Sequence, residues 1–341
     1  MWETPSSDPA SRAHLLPQAG EGGNVMTARY SEDELIARLF APLAGPAALG
    51  LADDAALLPP STLPTVVTTD MLVAGVHFFP DDPPGLIARK ALRVNLSDLA
   101  AKAAEPMGFL LSLALPPDWT NDWLEAFAAG LAVDARAYAA PLLGGDTTAT
   151  PGPLTIAVTA LGHTPRFTPR DGARPGQGVY VSGTIGDAAL GLVLRREPAR
   201  LAGLSESARA YLLERYLLPR PRLDLVSLLR DHAAAAMDVS DGLAGDLAKL
   251  ARASGASAVI EAPLVPLSAA AREALGLDPG LLETALTGGD DYEILFAAGP
   301  GFMPPEGVAR IGDIVAGEAP PRFFDAGKQQ IFFGKPSFSH F

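Results

Sequence analysis

Apolar and polar positions along this chain switch between helical and strand periods. Leu35, Ile36, Leu39 and Phe40 recur at helical intervals behind Ser31 and Glu34, which stand at capping-box spacing, so a helix is predicted over 32–42. Thr65-Val-Val-Thr-Thr69 is a β-branched run suited to a buried strand, and it stops at Asp70. Helices over 85–104 and 121–140 enclose a strand over 108–115 closed by Pro116 and Pro117, and another strand spans 154–161. After Pro165, Pro169 and the polar run 170–178 a fresh set of elements begins. It comprises a strand over 178–182, a turn at Gly183 and Gly186 opening a helix, and a helical region over 205–217. The run 236–242 then precedes a helix to 253, strands span 257–261 and 292–297, and a helix lies near 280–286. This alternation predicts an α/β (α+β) architecture.

The chain has 341 residues, enough for about two domains of ~100–200 residues each. The boundary is placed at 165/166, giving domains 28–165 and 166–341. Hydrophobic residues make up 48% and charged residues 19%, which supplies a large core and excludes wholesale disorder. A net charge of −13 repels a polyphosphate backbone unless one face is locally basic, so nucleic acid is not the expected partner. The absence of cysteine excludes disulfides, thiolate nucleophiles and cysteine zinc sites. No run approaches the ~18 apolar residues of a membrane span. Residues 1–27 have neither the basic start nor the apolar middle of a secretory signal. They read as a disordered extension or a start-site artefact, with Met26 an alternative start, and a cytoplasmic protein is expected.

Asp53, Asp54, Asp70, Asp98, Asp146, Asp238 and Asp241 recur where predicted strands end or helices begin, the usual places for sites in α/β proteins. Two readings stand. As structural residues, Asp98 and Asp241 cap helices while Asp70 and Asp146 sit in turns. As a site, they share small neighbours, such as Ser97, Gly144, Gly145, Ser240 and Gly242, that let a ligand approach the backbone. An echo links the halves. Leu96-Ser-Asp98, read ahead of a helix, is followed 46 residues after Asp98 by Gly144-Gly-Asp146, and Val239-Ser-Asp241 is followed 47 residues after Asp241 by Gly288-Gly-Asp290. Duplication and chance both account for it.

Converging carboxylates repel one another unless cations share the site. Oxygen donors without cysteine, in a chain with 5 histidines, favour Mg²⁺ over zinc. Because Mg²⁺ commonly joins carboxylates to substrate phosphates, phosphoryl transfer is the economical reaction class. Neither a G-x-x-x-x-G-K-[ST] loop nor the protein-kinase set is present. Gly183-Thr-Ile-Gly186 suits a phosphate cradle at a helix N-terminus or a plain turn. Arg170 suits a phosphate contact or a solvated surface, and His77 a ligand contact or a packed histidine.

Seven motifs occur in order: Asp53-Asp-Ala-Ala56, Thr68–Phe78, Lys90–Ala101, Gly144-Gly-Asp-Thr147, Val181–Asp187, Asp238–Leu243 and Gly288-Gly-Asp-Asp-Tyr-Glu293. With a closing Phe338-Ser-His-Phe341, they resemble the thiamine-monophosphate kinase family over about residues 30–341. The resemblance implies a homodimer of the aminoimidazole-ribonucleotide-synthetase-like fold, with two domains of mixed sheets and packed helices, and with ATP and several Mg²⁺ ions bound between them. It also implies direct transfer of the γ-phosphoryl of ATP onto the phosphate of thiamine phosphate, the last step of thiamine diphosphate biosynthesis.

Carried over position by position, Asp54, Thr68, Thr69, Asp70, Asp98, Asp146, Asp238 and Asp241 match metal-binding positions, with Asp98 and Asp146 expected to carry catalysis. Gly145, Asp146, Arg170 and Ser240 match nucleotide contacts, and His77, Asp290 and Phe338 match positions that hold thiamine phosphate. The chain departs from the family pattern at Gly50-Leu-Ala52, where the family has Gly-x-Gly, and at Asp290, where it has glutamate. Selenophosphate synthetase and the hydrogenase-maturation dehydratase partner, from the same superfamily, call for a cysteine or selenocysteine that this chain lacks. From another class, a catalytically silent nucleotide-binding subunit is opposed by the intact Asp70, Asp98, Asp146 and Asp241.

Overall fold

The computed structural model describes residues 29–335 and 337. The extension expected over 1–27 and the Phe338 position lie outside the described residues. Ser31 caps the first helix as its spacing predicts: its hydroxyl accepts from the Glu34 N–H, and the Glu34 carboxylate accepts from the Ser31 N–H at 3.0 Å. This helix, α1 (Glu32–Leu35), gives way to a π-helical turn at Ile36–Phe40 and a 3-10 turn at Ala41–Leu43. Pro42 has no N–H to extend the α-helical ladder predicted to 42.

The first sheet has the strand order β1-β4-β2-β3, with β1 Thr65–Val73, β2 Glu105–Leu115, β3 Leu142–Ala149 and β4 Thr155–His163. β4 runs antiparallel to β1 and β2, and β3 runs parallel to β2. Helices α2 (Pro84–Ala101) and α3 (Asn121–Ala137) pack side by side and fill the core with Leu92, Leu96, Phe127 and Leu131 against Phe109 and Ile156. Three structural readings of the aspartates fail here. Asp70 and Asp146 lie inside β1 and β3 rather than in turns, and Asp98 lies in the last turn of α2 rather than at a helix start. The echo with Val239-Ser-Asp241, which does precede a helix, is therefore one of residue types and not of structure.

The second sheet has the order β11-β10-β7-β9-β5-β8-β6. Its strands are β5 Gly178–Ser182, β6 Ala233–Asp238, β7 Ser257–Glu261, β8 Ile294–Ala298, β9 Val308–Val315, β10 Arg322–Phe324 and β11 Gln330–Ile331. Neighbours are antiparallel except β10 and β7. Helix α7 (Leu243–Ala253) packs on it, while α4 (Asp187–Arg196), α5 (Glu206–Leu217), α8 (Ala269–Leu277) and α9 (Leu281–Thr287) pack on one another; α6 (Val226–His232) leads into β6.

Helix α2 joins the two sheets. Leu92, Leu96 and Leu99 belong to the first core, whereas Ala100 and Ala101 pack with Tyr180, Leu229 and Phe296 of the second half. A helix enclosed on all sides buries its polar residues too, and Lys90, Arg93, Asn95 and Ser97 are all buried. Among the described residues no helix is long and apolar enough to cross a membrane.

Candidate active site

Alternation along β1 points Thr68 and Asp70 toward α2 and Thr69 to the opposite face. The Thr68 hydroxyl donates to the Asp98 carboxylate, whereas Thr69 donates to the Val158 carbonyl at 3.1 Å and accepts from Thr159 at 3.0 Å. Thr69 is thus held away from the other predicted metal ligands. One residue before Asp98, the Ser97 hydroxyl donates to Asp238 Oδ2 at 2.7 Å, at the end of β6. Asp238 also sits where its strand ends, as predicted.

Burial pushes the Asp70 carboxyl up to about 6, and the charges of Asp98 and Asp241 add to the rise. Burial likewise raises Asp98, against the opposing pull of the Thr68 hydroxyl, Lys102 and Arg170. Asp238 is held well above the usual carboxylate range by burial and then by Asp98, with the Ser97 hydrogen bond opposing. On the cationic side, burial first and Arg170 second lower Lys102 to about 8, and its ammonium donates to the Ala236 carbonyl at 2.7 Å. Asp241 pairs with Lys249, which also bonds Asp246 at 2.8 Å, while the Asp241 N–H donates to Asp246 at 2.9 Å.

Four acidic groups with raised affinities for protons, or facing such groups, are a setting that a divalent cation relieves. The donors are all hard oxygens, which suits Mg²⁺. Among the described residues no group of three or more acidic or histidine side chains is already gathered at metal-holding distance.

Asp70 and Asp241 reach a cavity of about 670 Å³ lined from both halves, also by His77, Lys90, Tyr216, Ser240 and Asp290, and by the tail residues Lys335 and Ser337. His77 is folded back on its own strand, its Nδ1 accepting from the Val73 N–H at 3.0 Å. Asp290 has a left-handed backbone, φ 73, fixed by its N–H donating to the Ser240 carbonyl at 2.9 Å. A second cavity of about 730 Å³ lies beside β3, where Asp53, Asp54, Gly145 and Asp146 face Phe40, Leu51 and Leu110. Before this aspartate pair, Leu49, Gly50 and Leu51 have φ 53, 72 and 57. The left-handed backbone at this departure from Gly-x-Gly is carried partly by leucines, at about 1–2 kcal/mol each.

The AIR synthase related protein N-terminal domain model matches residues 52–164, and the corresponding C-terminal domain model matches residues 174–318. The thiamine-monophosphate kinase of Caulobacter vibrioides is 44% identical over 278 residues, which cover 79% of this chain and 77% of that protein. The chain belongs to the thiamine-monophosphate kinase family. Among solved structures, AaThiL complexed with AMPPCP and TMP is 34% identical with a TM-score of 0.74, covering 85% of this chain and 91% of that one. The thiamine-monophosphate kinase of Stenotrophomonas maltophilia K279a is 40% identical with a TM-score of 0.73, covering 82% and 90%. The two-domain AIR synthase-like fold is shared.

Of the residues the thiamine-monophosphate kinase resemblance assigns, Thr68 bonds Asp98 near the end of α2, and the charges of Asp98 and Asp241 act on Asp70, as those of Asp98 and Asp70 act on Asp238. Asp54, Gly145 and Asp146 meet at the cavity beside β3, and Ser240, His77 and Asp290 at the cavity between the halves. Arg170 is exposed, and its charge bears on Asp98 and Lys102. The phosphate-cradle reading of Gly183-Thr-Ile-Gly186 is corrected: the Gly186 and Ala188 N–H groups donate to the Asp291 carboxyl group at 2.6 and 3.2 Å, so the donors at the start of α4 are already taken by a side chain of the protein. The sequence reading assigned nothing to Lys90, Lys102, Asp246 or Lys249. Lys90 at least carried a signal, being a cation within the Lys90–Ala101 motif.

Proposed function

We propose that this chain transfers the γ-phosphoryl group of ATP to the phosphate of thiamine phosphate, giving thiamine diphosphate and ADP. The observation that carries this reading is the approach of Asp70 and Asp241, one from each half, at a cavity whose other walls include the apolar Val76, Leu192 and Val193. A phosphorylated organic cation fits this space with its phosphate toward the aspartates and its rings toward the apolar wall.

Asp70, Asp98, Asp238 and Asp241 would hold Mg²⁺, which would supply charge neutralisation for the phosphates. The chain's own residues orient these groups. Thr68 fixes Asp98, Ser97 fixes Asp238, and Lys249 with Asp246 fixes Asp241. Gly145, Asp146, Arg170 and Ser240 are proposed nucleotide contacts, Asp54 and Asp146 are proposed further metal ligands, and His77, Asp290 and Phe338 are proposed contacts to thiamine phosphate. A phosphate oxygen is already a nucleophile, so no side chain has to remove a proton from the acceptor. Catalysis is then a matter of positioning and charge neutralisation.

A division into residues 28–165 and 166–341 is consistent with one sheet in each part. A cytoplasmic location is part of this proposal, as is a homodimer, which is supported by the outer face of the first sheet, where Val67 and Met71 are each 59% exposed and Leu110 is 40% exposed. A coupled assay of ADP release with ATP and Mg²⁺ tests the activity. Turnover with thiamine phosphate and none with thiamine is expected; equal release with both, or none with either, contradicts the reading.

A further inference from the structure

We propose that Lys90 is a positioning residue for the acceptor substrate, its ammonium tying together the two segments, one from each half, that wall the thiamine phosphate cavity. The inference rests on the thiamine phosphate reading of that cavity. Lys90 is 3% exposed, on the helix enclosed by both sheets. Its Nζ donates to the His77 carbonyl at 3.1 Å and to Asp290 Oδ2 at 2.8 Å, and it lies 4.3 Å from the centroid of the Tyr216 ring. Burying an ammonium is costly unless its donors are met. Here two oxygens and an aromatic face meet them.

Both oxygens belong to segments whose shape is not set by regular structure. His77 lies in the loop after β1, where its own N–H and imidazole return to Val73. Asp290 and Tyr292 have φ 73 and 53, a region uncommon outside glycine. These segments are 213 residues apart in the chain; Lys90 crosses between them. The shorter carboxylate at 290 is engaged with this ammonium, so Lys90 acts on the substrate through Asp290 and the His77 segment, which it holds in place. Lys90 is not among the residues lining the cavity beside β3, where Gly145 and Asp146 are proposed to meet the nucleotide, so the larger effect falls on the acceptor.

Full-length Lys90→Met, Lys90→Arg, Asp290→Asn and the Lys90→Met/Asp290→Asn double variant test this. The readouts are KM for each substrate, kcat, thermal melting, and calorimetric titration with thiamine phosphate in the absence of ATP. Lys90→Met and Asp290→Asn should each weaken thiamine phosphate binding about tenfold or more while KM for ATP stays within about twofold. The double variant should be no worse than the worse single one, because both sever one link. Lys90→Arg keeps the charge and should bind more tightly than Lys90→Met. If Lys90→Met does not fold, the contrast between Asp290→Asn and Lys90→Arg decides in its place, with Asp290→Asn expected to bind the more weakly. Unchanged thiamine phosphate affinity in the folded variants, equal losses for both substrates, or additive losses in the double variant would overturn the proposal. A wild-type protein whose ATP turnover ignores thiamine phosphate would instead overturn the functional reading.

Discussion

The Ser97 hydroxyl donates to the Asp238 carboxylate at 2.7 Å, bonding α2 to the last residue of β6 across 141 positions of sequence. The next residue, Asp98, takes the Thr68 hydroxyl from β1. Successive residues on a helix project about 100° apart, so one turn of α2 addresses both sheets at once. The carboxylates of the two halves converge because this helix stands between them.

Replacing Ser97 by alanine should therefore be felt in both stability and metal demand. Leaving the buried Asp238 carboxyl without this partner costs about 1–3 kcal/mol, and it removes the interaction that favours ionised Asp238. Thermal melts should shift down, and Mg²⁺ titrations of initial rate should shift to higher concentration. Wild-type values of both would remove Ser97 from this role.

Asp98→Asn and Asp146→Asn keep shape while removing a charge. Each should lower turnover by on the order of 10²-fold or more and raise the Mg²⁺ requirement. In chelator, Asp98→Asn should melt no lower than wild type, since one of a set of mutually repelling groups has lost its charge. Wild-type turnover with a lowered melting temperature would make these aspartates structural.

Asp70 supplies a test in pH. Its carboxyl rises from 3.8 to about 6 in the fold, so the folded state binds this proton more tightly than the unfolded chain does. That contribution to stability is fully present below pH 3.8 and is lost as pH rises through about 6. In metal-free buffer Asp70→Asn should therefore out-melt wild type above about pH 6, with the gap closing toward pH 4. A gap independent of pH contradicts the cause assigned to the shift.

Asp291 distinguishes a filled helix start from a phosphate site. Asp291→Ala leaves the Gly186 and Ala188 N–H groups without their carboxyl partner, at about 1–3 kcal/mol for each buried donor. Melting should fall sharply while KM for ATP in the folded protein stays near wild type. A selective rise in that KM would restore the phosphate-cradle reading.

Much of the fold was legible in local patterns. The β-branched run at 65 and the alanine-rich run of α3 were legible from composition, but β1 is an edge strand, half-buried or exposed from Thr65 to Met71 rather than buried, and it runs past Asp70 to Val73. β6 was harder, because Ala233-Ala-Ala-Ala-Met-Asp238 has helical propensity. Tertiary pairing overrides it: the run pairs antiparallel with β8, and Ala235 and Met237 pack into the second core. Gly145 was legible as a special position but for an incomplete reason. A Cβ there would lie 2.0 Å from the Leu111 carbonyl oxygen, so the pairing of β2 and β3 demands glycine whatever ligand binds. The aspartates were legible as a set, whereas their places inside β1, β3 and α2 were not. The pairing of Lys90 with Asp290, 200 residues away, left no trace in either local pattern.

The most direct measurement follows the transferred group itself. With ATP labelled at the γ-phosphorus, Mg²⁺ and thiamine phosphate, the label should appear in thiamine diphosphate in step with ADP, and free thiamine should take up none. Label released only as inorganic phosphate, or found in thiamine phosphate made from thiamine, would contradict the account.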